Sequence, residues 1–231
     1  SSLNVNGNVK LDGNYPVGSD NVVLGEDAGA ALTSSSLRNV AIGSDALQGN
    51  TAIGNTAVGY QASRVNITAS NNTAIGRESL ELNSTGGQNV AIGAFAGNGN
   101  TASNTVLIGY QAGNNNTGAN TVAVGYQSAK ANTSGVNNTG VGFQTLLTNT
   151  QGSNNVALGY ISLYANTTAN DNTALGYSTL RFNTTGASNV AVGKDALRAN
   201  TTADYNTAAG YQSGYSNTTG TANATFGSNS L

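Results

Sequence analysis

The chain contains no cysteine, histidine, methionine or tryptophan, and it has a single proline. Without cysteine, disulfides cannot hold the fold, and thiolate nucleophiles and thiolate metal ligands are excluded. Without histidine, the commonest general base and the imidazole metal ligand are missing as well. We therefore predict a protein that is not an enzyme, with no catalytic residue, no metal site and no cofactor.

Charge is also scarce, since charged residues make up 8% of the chain and the formal net charge is -2. This balance gives no electrostatic reason to expect nucleic acid or an anionic membrane as a partner. No apolar run approaches the roughly 20 residues that cross a bilayer. We expect neither nucleic-acid binding nor membrane insertion.

What the chain does have is glycine, 31 residues of it, together with much Asn, Thr, Ala and Ser. Such a composition can indicate disorder, but Val, Ile and Leu return at fixed intervals, which disorder does not explain. A glycine closes each repeated phrase, and successive glycines are 16 to 18 residues apart, most often 17. These glycines are Gly25, Gly43, Gly59, Gly76, Gly93, Gly109, Gly125, Gly142, Gly159, Gly176, Gly193, Gly210 and Gly227.

A unit of 17 residues is too short for a helix-pair repeat or a propeller blade, and it fits one coil of a β-solenoid. Within each phrase, larger residues alternate with small ones, which is typical of a strand. We predict an all-β protein, a β-solenoid of about thirteen coils over residues 21–231 with the last coil incomplete. Residues 1–20 lie outside the repeat and are predicted to form an N-terminal cap or entry strands.

Two columns of the repeat are predicted to define the two faces of each strand. The residue before most of these glycines is a branched aliphatic, and we expect this column to form the core of the coil. It comprises Ile42, Val58, Ile75, Ile92, Ile108, Val124, Val141, Leu158, Leu175 and Val192. The preceding residue, on the other face, is mostly alanine, which suggests close packing against a neighbouring chain. For this interchain contact we select Ala74, Ala91, Ala157, Ala174, Ala191 and Ala208.

Glycine and asparagine are expected to shape the backbone. The glycine column predicts a positive φ or a close approach that leaves no room for Cβ. The asparagine columns predict corners, at which side-chain amides hydrogen bond up and down the stack of coils.

Two phrases resemble a known family. NTVLIG at 104–109 and NTVAVG at 120–125 look like the NSVAIG phrase of trimeric autotransporter adhesin heads, although the unit of 17 is longer than theirs. NTALGYSTLRFNTTG at 172–186 resembles repeats of bacterial surface proteins and of phage or viral fibres. The resemblance implies a homotrimer of left-handed parallel β-rolls on a cell or virion surface. It predicts a structural or adhesive fibre whose partners are itself, as a homotrimer or a filament, and a host-surface glycan or protein receptor.

An aromatic column follows the glycine column and leaves two interpretations open. Its rings could bind glycans by stacking, or they could stack on one another between coils. The candidate glycan contacts are Tyr110, Tyr126, Tyr160, Tyr177 and Tyr211. Eleven N-x-S/T triplets leave a similar choice between glycosylation and simple turn chemistry.

Two other functions are considered. An ice-binding solenoid is the alternative, because threonine recurs in a column at Thr133, Thr150, Thr167, Thr184, Thr201 and Thr218. A polysaccharide-acting enzyme is the third. Its mark would be clustered carboxylates, and only Glu26, Asp27 and Asp45 are placed to cluster. The simpler interpretation of these three residues is a solvated edge.

Overall fold

The computed structural model describes residues 18–230, and all of their regular secondary structure is β-strand. The predicted cap at 1–20 therefore lies almost wholly outside the described residues. Thirteen three-residue strands follow one another along the chain. They are β1 (Val22–Leu24), β2 (Val40–Ile42), β3 (Thr56–Val58), β4 (Thr73–Ile75), β5 (Val90–Ile92), β6 (Val106–Ile108), β7 (Val122–Val124), β8 (Thr139–Val141), β9 (Val156–Leu158), β10 (Thr173–Leu175), β11 (Val190–Val192), β12 (Thr207–Ala209) and β13 (Ala224–Phe226).

The strands form one parallel sheet whose spatial order, β1 to β13, is the order of the sequence. Each strand pairs with the next in the register of the repeat, so that Ala174 lies beside Ala157 on one side and Ala191 on the other. A parallel partner one repeat later requires the chain to make a full circuit between strands. The β-solenoid prediction is confirmed, with about twelve turns.

The two faces of the strands are the reverse of our prediction. In β11, Ala191 is fully buried inside the coil, whereas Val190 and Val192 are 39% and 40% exposed. The column predicted as core is half-buried or exposed throughout: Ile42, Val58, Ile75, Ile92, Ile108, Val124, Val141, Leu158, Leu175 and Val192. The column predicted to contact another chain has no exposed surface: Ala74, Ala91, Ala157, Ala174, Ala191 and Ala208.

The physical reason for the reversal is the thinness of the coil. The strand forms one wall, and the turn that follows each glycine forms the opposite wall. The interior is filled from the turn wall by the fourth residue after the glycine, which is most often leucine and is here called the leucine column. Its leucines are fully or almost fully buried: Leu47, Leu80, Leu146, Leu163, Leu180 and Leu197. Opposite such leucines the strand wall has room for no more than alanine, so the larger strand residues point outward.

The coil around Leu107 shows this limit directly. Leu107 takes the alanine position of β6 and is fully buried. In the two turns that face Leu107, the position of the leucine column is occupied by glycine, namely Gly97 and Gly113. A Cβ built on Gly97 would lie 2.7 Å from Leu107 Cδ1, so a side chain there would force Leu107 to move. The large residue on one wall is thus accompanied by glycine on the other.

The glycine that closes each strand behaves as predicted. Gly76 has φ +128°, and a Cβ at this position would lie 2.7 Å from the carbonyl carbon and oxygen of Gly93 in the next coil. Both a left-handed conformation and a close backbone approach therefore require glycine in this column.

Two interior asparagine ladders hold the coils in register. In the first, the backbone N–H of Asn189 donates to Asn172 Oδ1, and Asn172 Nδ2 donates to the Gly186 carbonyl, at 2.9 Å each. In the second, Asn200 Nδ2 donates to Asn183 Oδ1 at 2.9 Å. These buried amides satisfy backbone groups that the three-residue strands leave unpaired. The prediction of amides bonding along the stack is confirmed.

Candidate functional site

One extended surface feature is an apolar stripe on the outer face of the sheet. We call outer stripe the first and third residues of β1 to β13, which are half-buried or exposed at every coil. Of these 26 residues, 19 are Val, Ile, Leu or Phe, and the others are Thr and Ala. With coils about 4.8 Å apart, twelve spacings make the stripe about 58 Å long. It carries no charged residue.

The second feature is a stack of aromatic rings on the turn wall. The ring centroids of Tyr110, Tyr126, Phe143, Tyr160 and Tyr177 follow one another at 5.4, 5.2, 5.0 and 5.1 Å, and neighbouring planes differ by 15° or less. Beside the rings, side-chain amides form their own short ladder, in which Gln144 donates to Gln127 and Gln127 donates to Gln111, each at 2.8 Å. The interpretation that the rings stack between coils is confirmed.

This stacking limits what the tyrosines can offer to a sugar. Within the stack, each inner ring has both faces covered by its neighbours, and only its edge reaches solvent. Tyr211 is separated from Tyr177 by Lys194, whose Nζ lies 5.6 Å from the centroid of each ring. A glycan could therefore meet ring edges and hydroxyl groups here, but it could not stack on the inner ring faces. Glycan contact at these tyrosines stays a prediction.

A third feature, which we did not predict, is a cluster of cations and rings on the turn wall near the C-terminal end. Arg181 and Arg198 occupy the same column in adjacent coils. Their Cζ atoms lie 5.0 and 5.2 Å from the Phe182 ring centroid. Arg198 Nη1 donates to the Tyr215 hydroxyl at 2.5 Å, and its Nε lies 3.5 Å from Asp195 Oδ1. The repeat length alone could have predicted this cluster, because two arginines one repeat length apart must be neighbours in a solenoid.

The acidic residues near the N-terminal end do not form a metal centre. Asp45 accepts from Gln48 Nε2 at 2.8 Å and from Gln61 Nε2 at 3.4 Å. Among residues 18–230, no group of three Asp, Glu, His or Cys side chains could hold a metal ion. Glu26 and Asp27 are exposed at the surface, which fits the simpler interpretation of a solvated edge.

The threonine column uses its hydroxyl groups within the chain. Thr150 Oγ1 donates to the Thr167 carbonyl at 3.0 Å, and Thr167 and Thr184 make the equivalent bond to the next coil at 3.1 and 3.0 Å. These hydroxyl hydrogens are already engaged, so they are not available to order water into an ice-like layer.

The N-x-S/T triplets divide into buried and exposed positions. Six of the asparagines are fully buried inside the coil and cannot carry a glycan in the folded chain: Asn66, Asn83, Asn132, Asn166, Asn183 and Asn200. Asn217 is half-buried, and four are exposed: Asn71, Asn115, Asn137 and Asn223. The exposed Asn137 is itself bonded to its neighbours, accepting from Asn120 and donating to Asn154 at 3.0 Å each. Most triplets therefore serve turn and ladder chemistry.

Within the described part of the chain, no helix is long and apolar enough to cross a bilayer. The comparisons with known proteins add no constraint, because no protein-family model, curated protein or solved structure matches the chain significantly. The function is therefore argued from the surfaces above.

Proposed function

We propose that this chain is a segment of a homotrimeric structural or adhesive fibre, built from left-handed parallel β-rolls and displayed outside the cell or on a virion. The observation that carries the proposal is the outer stripe, an uncharged, mostly apolar surface that runs along all thirteen strands.

The stripe is as large as the largest apolar patches that monomeric proteins usually expose. Its two columns are about 7 Å apart and about 58 Å long, which amounts to roughly 400 Å² before side-chain width is counted. Typical exposed patches of soluble monomers reach about 300–600 Å² and are often functional. Burying such a stripe removes Val, Ile or Leu side chains from water at eleven of the thirteen strands, and this gain accumulates along the rod.

The partner that fits the stripe is another copy of the same chain. A rotation axis parallel to the rod brings the same column of each copy together at every coil. Only a partner with the same repeat can match the stripe from one end to the other. The resemblance to trimeric adhesin heads supports three copies rather than two. In this assembly the outer stripe forms the interface between chains, and the alanine column stays inside each coil.

Such an assembly suits extension and display. The stacked coils contact mainly their neighbours, so the rod can be rigid over its length while its turn walls remain exposed for ligands. The resemblance to bacterial surface and viral fibre repeats supports a location on a cell or virion surface.

The test is the mass in solution, measured by light scattering. The wild-type chain should have three times the chain mass of 23.0 kDa. The double variant Val190→Lys/Val192→Lys places two charges in the stripe without touching the coil interior, so it should keep its β-sheet circular dichroism and lose the trimer. The control Thr168→Lys/Thr185→Lys adds the same charge at exposed positions outside the stripe and should remain trimeric. A monomeric wild-type chain, or a trimeric stripe variant of unchanged stability, contradicts the proposal.

A further inference from the structure

Charge is distributed unevenly along the turn wall, which carries the six residues after each repeat glycine. In the first five coils these residues include five carboxylates and two arginines. In the four coils from 160 to 216 they include Arg181, Lys194 and Arg198 but only one carboxylate, Asp195. In a chain whose net charge is negative, this end of the turn wall is a local cationic surface.

The fifth residue after each repeat glycine forms a column in which the charges of neighbouring coils differ between the two halves of the chain. In the N-terminal part, Arg64 faces Glu81 one coil later, and Arg64 Nη2 lies 2.7 Å from Glu81 Oε1. In the C-terminal part, two neighbouring coils have Arg181 and Arg198 in this column, so two like charges are adjacent. Like charges directly opposite one another in a sheet are destabilising unless an anion lies between or beside them.

Among residues 18–230, only one of these two arginines has a carboxylate as a counter-ion. Asp195 pairs with Arg198, while the Arg181 side chain has no ion pair or hydrogen bond within residues 18–230. The Nε of Arg181 is buried, and the guanidinium is positioned by its contact with the Phe182 ring. Arg181 is therefore a fixed cation without a counter-ion in the described part of the chain.

Aromatic side chains surround the two guanidinium groups. Phe182 lies against both arginines and is 40% exposed. The Tyr215 ring centroid lies 5.5 Å from Arg198 Cζ, and Tyr164 precedes Arg181 in the same column. Guanidinium groups match the planar geometry of carboxylate and sulfate, and exposed rings beside them favour the apolar faces of sugar rings.

We propose that Arg181 and Arg198, flanked by Phe182 and Tyr215, bind the carboxylate or sulfate group of an acidic saccharide. The assignment deepens the proposed fibre function, on which it rests, by naming the ligand class of an adhesive surface. Three cations are too few for the phosphate tracking that nucleic acid needs. The site also lies on the wall opposite the outer stripe, so trimer formation leaves it accessible.

The experiment is calorimetric titration of the intact chain with three tetrasaccharides of equal length: a galacturonic acid tetramer, a heparin-derived sulfated tetrasaccharide and neutral maltotetraose. At least one acidic probe should bind, with an affinity that falls as salt rises, and the neutral probe should not. The two acidic probes distinguish carboxylate from sulfate as the preferred group. Inorganic sulfate is titrated separately, and binding of sulfate without binding of either acidic saccharide overturns the proposal.

Variants then assign the binding to the cluster. Arg181→Gln should weaken binding about tenfold or more, since it removes a charge-assisted contact. Lys130→Gln removes the same charge from the same column three coils earlier and should leave the affinity unchanged. Asp195→Asn should strengthen binding, because it releases Arg198 from the carboxylate with which it pairs. Equal affinity in wild type and Arg181→Gln, or weaker binding by Asp195→Asn, contradicts the assignment.

Light scattering on the same samples separates this inference from the fibre proposal. A trimer that binds no acidic saccharide would disprove the saccharide site alone. A monomer that binds one would disprove the trimer alone.

Discussion

The coils around Leu107 and the coils around Ala174 have the same backbone but fill their interiors from opposite walls. Around Ala174, the strand contributes a methyl group, and Leu163 and Leu180 fill the space from the turn wall. Around Leu107, the strand contributes the leucine, and both turn positions are glycine. The difference shows that the repeat conserves an interior volume, not a residue at a position.

The same exchange recurs near both ends of the described chain. Val23 replaces alanine in β1, and the leucine column there holds Gly29, whose Cβ would lie 3.2 Å from Val23 Cγ2. Thr225 replaces alanine in β13, and a Cβ on Gly214 would lie 3.2 Å from Thr225 Oγ1. Each enlargement of the strand wall is thus matched by glycine on the turn wall.

The largest effect should come from emptying the coil that depends on its strand leucine. Leu107→Ala removes the side chain that fills the space left by Gly97 and Gly113, and no leucine on the turn wall can replace it. We expect a loss of about 2–5 kcal/mol in the free energy of unfolding, as for other buried leucines. Chemical denaturation followed by circular dichroism measures it.

Leu82→Ala is the matched control, because it removes the same atoms from a leucine that is 45% exposed. Its effect should stay within about 0.5 kcal/mol, as for other surface changes. Similar losses in the two variants would show that Leu107 does not fill a core.

An effect of intermediate size should follow from enlarging the strand wall in a regular coil. Its effect on the free energy of unfolding should have opposite signs in two backgrounds. Ala174→Leu in the wild-type chain overpacks the space held by Leu163 and Leu180 and should destabilise by about 1–3 kcal/mol. In the background Leu163→Gly/Leu180→Gly the same change rebuilds the arrangement of Gly97, Leu107 and Gly113. There it should stabilise, because it fills a cavity instead of overpacking one.

The four chains form a thermodynamic cycle, whose coupling energy is measured by the same denaturation experiments. Residues in contact couple by about 0.5–3 kcal/mol. A coupling near zero, or destabilisation in both backgrounds, would mean that Ala174 and the leucine column do not share one interior.

The repeat fixed most of the architecture from sequence alone, but not the orientation of the strand. Period, strand positions, parallel stacking and the glycine column follow from the spacing and from alternation, and all are confirmed. Orientation was inferred from the rule that larger apolar residues face the core, and that rule fails in a coil this thin. The signal that could have corrected it is the pairing of Leu107 with Gly97 and Gly113, which only makes sense if the two columns face each other.

The turn wall was harder to predict because its backbone is unusual. Leu180 has φ +48° and Gln61 has φ +53°, a left-handed conformation that such residues rarely adopt. Without these dihedral angles, the leucine column cannot be placed against the strand. The cluster at Arg181 and Arg198 needed only the repeat length, since identical columns stack, and a search for like charges one repeat apart would have found it.

The smallest effect should come from the coil in which the leucine column is interrupted by a polar residue. Ser63 lies between Leu47 and Leu80 in this column, is 1% exposed, and its hydroxyl has no hydrogen-bond partner among residues 18–230. Ala129 occupies the same column at φ +48°, so alanine tolerates the conformation. Ser63→Ala should therefore raise the free energy of unfolding by about 1 kcal/mol, because an unpaired buried hydroxyl is lost.

The neighbouring Ser79 provides the opposite case for the same substitution. Its buried hydroxyl donates to the Gly76 carbonyl at 3.0 Å, so Ser79→Ala removes a satisfied bond and should cost about 0.5–1.5 kcal/mol. Denaturation midpoints of the two variants, measured side by side, should move in opposite directions from the wild type. If both variants lose stability, the Ser63 hydroxyl has a partner in solution, and the interruption of the leucine column is not a defect in packing but a bonded site.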